Sequence, residues 1–110
     1  MKALKINTEK RTIIEVQIKD WREIAPGIGN GCTTFSCPVE LKNGDTIFCD
    51  DDGLSNPYYG GWIMDGWDYP LVGNALIIGA DRDGNSIDCK TSLEDMRIDI
   101  IFLTIEDLIM

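Results

Sequence analysis

The sequence predicts an α+β fold: a mostly antiparallel β-sheet built from hairpins, with one or two short helices on one face. Three observations predict it. Apolar and polar residues alternate over 2–7 and again over 12–18, with Thr8-Glu9-Lys10-Arg11 as the break between them. Asn43-Gly44, a strong hairpin signal, sits between two strand-forming segments. Helix signals are confined to two short capped stretches, and no internal repeat or low-complexity segment appears. At 110 residues the chain reads as a single domain over 1–110. A chain of this length buries about 60–70% of the surface its unfolded form exposes, enough for one core.

In chain order, Leu4 and Ile6 share one strand face, and Ile14, Val16 and Ile18 share the next, with Glu15 and Gln17 opposite. Asp20 is placed to cap a short helix through Ile24, with Glu23 three residues on, and Pro26-Gly27 is expected to end it. Residues 28–31 then read as loop. Residues 33–41 carry Phe35, Val39 and Leu41 as strand formers but include Pro38, which points to a sheet edge or a bulge. After Asn43-Gly44 the returning strand runs over 45–50. Residues 54–69 have no period of 2 or 3.6, so they are expected to form one long loop. Residues 71–80 read as one buried strand, 81–85 as a tight turn and 86–89 as a short strand. Ser92 is the expected N-cap of a helical turn over 91–96, and 97–103 reads as a closing apolar strand.

Charge is unevenly divided along the chain. Residues 1–42 hold seven of the ten Lys/Arg and five of the nineteen Asp/Glu, so residues 43–110 carry all of the net charge of −9 and more. Direct nucleic-acid binding is disfavoured by that sign, and a basic protein partner is favoured. An ordinary solvated surface is the simpler alternative. Surface carboxylates on extended chain, spaced by ~3.3 Å, also match the ~3.4 Å phosphate spacing of a DNA strand.

No histidine is present, which removes the usual neutral-pH proton shuttle and the commonest metal ligand. Residues 1–6 lack the apolar core of an export signal, and no apolar run approaches the ~20 residues of a membrane span. The expectation is a soluble, cytoplasmic protein with no membrane contact. Cys32, Cys37, Cys49 and Cys89 are then expected to be free, mostly buried thiols, since their spacing does not form the paired C-x₂₋₄-C pattern of a zinc site.

Residues 1–6, the stretch 49–54 and above all Tyr69-Pro70-Leu71-Val72-Gly73-Asn74-Ala75-Leu76-Ile77-Ile78-Gly79-Ala80-Asp81-Arg82-Asp83-Gly84 resemble a family of small acidic proteins of phages, plasmids and related bacterial elements, a domain of unknown function. The resemblance extends over nearly the whole chain, with Leu93-Glu94 matching the turn before its last strand. It implies an interaction role, for instance inhibition of a host protein or defence system, and supplies no catalytic residues to carry over. The cysteines and the aromatic segment depart from that pattern.

Known site chemistries fit poorly. Aligning Gly84 with the glycine of a calcium-binding EF-hand loop puts Gly79 at the first ligand position and Lys90 at the last; aligning Gly53 puts Phe48 and Tyr59 there. None of these four supplies a carboxylate, so both acidic turns read as solvated turns. Gly27-Ile28-Gly29-Asn30-Gly31 lacks the Lys-Ser/Thr of a phosphate-binding loop. A nucleophilic Cys or Ser would have only a carboxylate or lysine as its base, and the chain reads as non-enzymatic, with no cofactor and no metal site.

The segment 58–69 holds five of the nine aromatics, mixed with Gly and Asp, and this is the composition of a binding loop. The alternative is that Trp62 and Trp67 fold back to cap the core. The candidate partner-binding residues are therefore Asp50, Asp51, Asp52, Tyr58, Tyr59, Trp62, Trp67, Asp81 and Asp83. The leading expectation is an acidic interaction protein of a mobile element that meets a basic, nucleic-acid-binding host protein. The alternative is a small-molecule binder, such as a nucleotide sponge, that stacks a base on the aromatic loop and holds phosphate with Arg82, Lys90 or Arg97.

Overall fold

In the computed structural model, which describes residues 1–29, 31–52 and 60–109, the chain forms two antiparallel sheets and three short helices, an α+β fold. The first hairpin joins β1 (Lys2–Asn7) to β2 (Thr12–Gln17), with Lys2 opposite Gln17 and Asn7 opposite Thr12. A 3-10 turn over Trp21–Glu23 follows, and the chain continues into α1 (Ile24–Ile28). Asp20 caps that turn as expected, accepting a bond from the Arg22 N–H, and Glu23 accepts one from the Lys19 N–H. The helix does not end at Pro26-Gly27. Pro26 lies in the first turn of α1, where a missing N–H breaks no intrahelical bond, so the helix runs on to Ile28.

β3 (Phe35–Glu40) and β4 (Thr46–Asp50) form the second hairpin. Pro38 falls in a register shift between Ser36 and Val39 on an edge strand, where its missing donor costs least. Leu41 donates its N–H to the Asp45 carbonyl, which leaves a three-residue loop whose last member, Gly44, has φ 92°. That left-handed backbone is the one glycine adopts most readily.

The segment 54–69 is not one loop. Residues 60–64 lead into β5 (Gly61–Met64), which pairs with β6 (Leu71–Val72) and with β9 (Ile100–Leu103) in the smaller sheet. The expected strand 71–80 is likewise two: Gly73, at φ 84°, turns the chain out of the small sheet, and β7 (Ala75–Ala80) enters the centre of the large one. The turn 81–85 and β8 (Ser86–Ile87) follow as expected. Ser92 caps α2 through the Asp95 N–H, but α2 runs from Leu93 to Asp99, so the last strand begins at Ile100. The final α3 (Ile105–Ile109) was not foreseen. Thr104 and Asp107 cap it reciprocally, each backbone N–H donating to the other's side chain.

The large sheet has the order β2-β1-β7-β4-β3, with β8 pairing the far end of β7. Its two faces bury different things. Leu4, Ile6, Ile13, Ile47, Cys49 and Ile77 pack against Trp62 and Ile100 of the small sheet and Met96 of α2. On the other face Ala3, Leu76 and Ile78 pack against Ile24 and Ile28 of α1. Central β7 is covered on both faces, which is why its sequence is continuously apolar.

Two buried polar side chains tie distant segments together. Asn74 accepts bonds from the Thr8 backbone and hydroxyl and donates to the Ile28 carbonyl, joining the first hairpin's turn to the end of α1. Asp45, fully buried, accepts from the backbone N–H groups of Lys90 and Thr91 and from the Thr91 hydroxyl. The second hairpin is thereby fixed to the entry of α2. Among the described residues no helix is long and apolar enough to cross a membrane.

Candidate functional site

A groove runs between β3, an edge strand of the large sheet among the described residues, and the segment 64–72 that borders the small sheet. Its middle is a cavity of about 410 Å³ against Val39, Trp67, Tyr69, Pro70 and Leu71. Towards α2 it widens to a basin of about 710 Å³ floored by Leu41 and Met64, and in the other direction it narrows to about 210 Å³ beside Pro38, Asp50 and Asp51. Val39 and Trp67 are shared by the first two compartments, and Pro70 and Leu71 by the first and third, so the groove is continuous.

Its floor is apolar and its rim acidic. Glu40, Asp50, Asp51, Asp65, Asp68, Asp95 and Asp99 line it, against two lysines, Lys42 and Lys90. Lys90 is partly engaged, since its Nζ donates to the Asn43 carbonyl at 3.3 Å. The elements explain the arrangement. Asp95 and Asp99 lie four residues apart on one side of α2. Backbone bonds from Asp65 N–H to the Asp99 carbonyl and from Trp67 N–H to the Met64 carbonyl hold the turn that carries Trp67. The half-buried Trp67 ring packs on Trp62, with centroids 5.2 Å apart and planes at 41°. Tyr69 stands 82% exposed at the rim.

The residues singled out from sequence fare unequally. Asp50, Asp51 and Trp67 line the groove. Trp62 does not: it is fully buried on β5, in the core between the sheets, so the core-capping alternative holds for it. Asp52 is exposed but lines none of the three compartments, and its N–H donates to the Asp50 carboxylate. Asp81 and Asp83 lie elsewhere. The β4–β7 register puts Cys49 opposite Ala75 and Thr46 opposite Ile78, so Asp50 and Asp81 are at opposite ends of the sheet. The six residues of β7 separate them by roughly 20 Å. Asp81 is used locally, accepting bonds from the backbone and side chain of Asn85 and from the Asp83 backbone, and those bonds hold its carboxyl below the usual range. Tyr58 and Tyr59 lie outside the described residues.

Sequence reasoning missed the groove's floor, Val39, Leu41 and Leu71, and much of its rim. A signal for Asp65 and Asp68 existed, since they flank Trp67. Asp95 and Asp99 show helical spacing, but only the tertiary pairing of β5 with β9 brings them beside Trp67.

All four cysteines are free, yet only Cys49 and Cys89 are buried; Cys32 is half-buried and Cys37 exposed. Burial, with added repulsion from Asp50, pushes the Cys32 thiol up to about 11. Burial also raises Cys49, and burial followed by Asp45 raises Cys89. These thiols stay protonated at neutral pH, the opposite of an activated nucleophile. Iodoacetamide at pH 8 is therefore expected to label Cys37 well before Cys32, Cys49 or Cys89, as read by peptide mass spectrometry; equal labelling would contradict it. Among the described residues no group of three His, Cys, Asp or Glu side chains is placed to hold a metal ion.

No family model, curated protein or solved structure matches the chain.

Proposed function

We propose that the chain is a non-enzymatic interaction protein whose groove takes a basic segment of a protein partner, with apolar anchors on Val39, Trp67 and Leu71 and Lys/Arg side chains on the rim. The observation that carries this reading is the coincidence of an apolar floor with seven carboxylates against two lysines. Complementary charge brings such a partner in and sets its register, while the buried anchors supply most of the affinity. The resemblance read in residues 69–84 to small acidic proteins of mobile elements is our ground for proposing a host protein as the partner, including a nucleic-acid-binding one that the groove would inhibit.

The nucleotide-sponge reading has less support. Trp62 is withdrawn into the core, and Arg97 faces the opposite edge of the fold, where it donates to the Ile13 carbonyl. Arg82 sits on the distant 81–85 turn, which leaves Lys90 alone of its three cations in the groove, among carboxylates.

The test is a calorimetric titration with Arg/Lys-rich peptides that carry a leucine or aromatic anchor. Binding is expected to be saturable and to weaken as salt rises. Asp51, Asp65 and Asp68 make no side-chain hydrogen bonds among the described residues, so changing all three to Asn should leave the fold intact. Rim charges contribute about 0.5 kcal/mol each, so the triple variant is expected to bind about tenfold more weakly at low salt. Salt-independent binding, or an unchanged affinity in that variant, would sink the proposal.

A further inference from the structure

The opposite edge of the fold carries a second, differently charged slot. β2 pairs only with β1 and β9 only with β5 among the described strands, and a cavity of about 370 Å³ opens between their outer edges. Ile13, Ile14, Ile100 and Phe102 give it apolar walls. Its charged lining is Arg11 and Arg97, with no Asp or Glu. In a chain of net charge −9 this composition is the exception.

The two arginines reach the slot from different elements. Arg97 lies in the last turn of α2, and its Nη2 donates to the Ile13 carbonyl at 3.1 Å. That bond anchors the guanidinium at the slot and leaves further N–H donors of the fork for a ligand. Arg11 is the only non-glycine residue with positive φ among those described, at 55°. A hairpin turn needing that conformation is better served by Gly or Asn, so this arginine sits against the local backbone preference. Asp107 lies within electrostatic reach of Arg11, and its Oδ2 accepts from the Thr104 N–H and hydroxyl. Neither arginine forms an ion pair among the described residues.

We propose that this slot binds a small amphipathic anion, a carboxylate on an apolar body, with Arg11 and Arg97 pairing the charge and Ile13, Ile14, Ile100 and Phe102 enclosing the body. The volume is in the range of small-molecule sites. Planar guanidinium groups suit a carboxylate, and the absence of acidic lining sets this slot apart from the groove. The two sites are independent. β2 and β3 are opposite edges of the sheet, about 19 Å apart over four strand spacings.

The experiment compares octanoate, octanol, acetate and octylamine by amide chemical-shift titration of the isotope-labelled protein. Octanoate is expected to give saturable shifts centred on residues 11–14 and 97–102. Octanol, which lacks the charge, and acetate, which lacks the body, should bind about tenfold more weakly, and octylamine should not compete. Arg11→Gly should leave Tm unchanged or raised while octanoate affinity falls about tenfold; Arg97→Gln should weaken octanoate relative to octanol. Octanol binding as well as octanoate, shifts spread over the whole chain, or full affinity in Arg11→Gly would each overturn the assignment. A lower Tm in Arg11→Gly would also do so, because Arg11 would then be serving the fold. None of these outcomes bears on the acidic groove, which is read by basic peptides.

Discussion

Replacing Asp45 by alanine is expected to lower folding stability by about 3–5 kcal/mol, out of the ~5–15 kcal/mol typical of a domain this size. The side chain is fully buried, and three donors depend on it: the Lys90 N–H at 3.0 Å, the Thr91 N–H at 2.8 Å and the Thr91 hydroxyl at 2.6 Å. Removing the acceptor leaves those donors without a partner in a site too enclosed for full hydration, and each such loss costs about 1–3 kcal/mol. It also leaves the entry of α2 tied to the second hairpin, among the described residues, only by the Asn43 side chain on the Thr91 hydroxyl and the Lys90 Nζ on the Asn43 carbonyl. Asp45→Asn retains one acceptor oxygen and is expected to cost about 2 kcal/mol. Urea denaturation checks both: the midpoint should fall with an unchanged slope. A loss below about 1 kcal/mol for alanine would mean that solvent or a rearranged backbone replaces the carboxylate.

Asp45 also shows where reading the sequence stops. Its spacing of two and four residues from Ile47 and Cys49 puts it on the inward face of β4, but an acidic residue after Asn43-Gly44 reads more simply as part of the turn. Only the arrival of Lys90 and Thr91, 45 residues later, makes a buried carboxylate tenable there. The same division holds across the fold. The β1–β2, β3–β4 and β7–β8 hairpins were legible because turn chemistry and period-2 alternation are local. β5 was not, since Gly61-Trp62-Ile63-Met64 is four residues long, shows no alternation and is defined by β9, far along the chain. The boundary between α2 and β9 is not legible because 97–103, largely apolar but carrying Arg97 and Asp99, suits either state, and packing of Met96 and the register of Ile100 with Met64 decide it. For α3 the only local signal is the Thr104-x-x-Asp107 spacing of its reciprocal cap. Of the fourteen acidic residues in 43–110, six line the groove and two lie in the self-satisfied turn at the far end of the sheet, while the rest, the buried Asp45 among them, lie in neither place.

The two tryptophans of the aromatic segment are expected to separate when each is changed to alanine. Trp62→Ala empties the largest fully buried side chain from the core between the sheets and should cost about 3–5 kcal/mol. Trp67 is only half-buried, one face on Trp62 and one on the groove, so Trp67→Ala should cost about 1–2 kcal/mol and leave a folded protein. Its effect on basic-peptide binding should be the larger one: a tryptophan that floors a groove is the kind of anchor whose truncation removes about 2 kcal/mol or more of affinity. Part of each loss is shared, because an aromatic pair in contact contributes about 0.5–1.5 kcal/mol beyond its buried area, and the double variant should therefore fall short of the sum of the singles by that amount. Measured together, denaturation and peptide titration place the boundary between core and site. If Trp67→Ala unfolds the protein as Trp62→Ala does, both rings belong to the core and the groove loses its anchor. If Trp67→Ala folds and still binds the peptides unchanged, the carboxylate rim alone attracts them, and the apolar floor has no part in recognition.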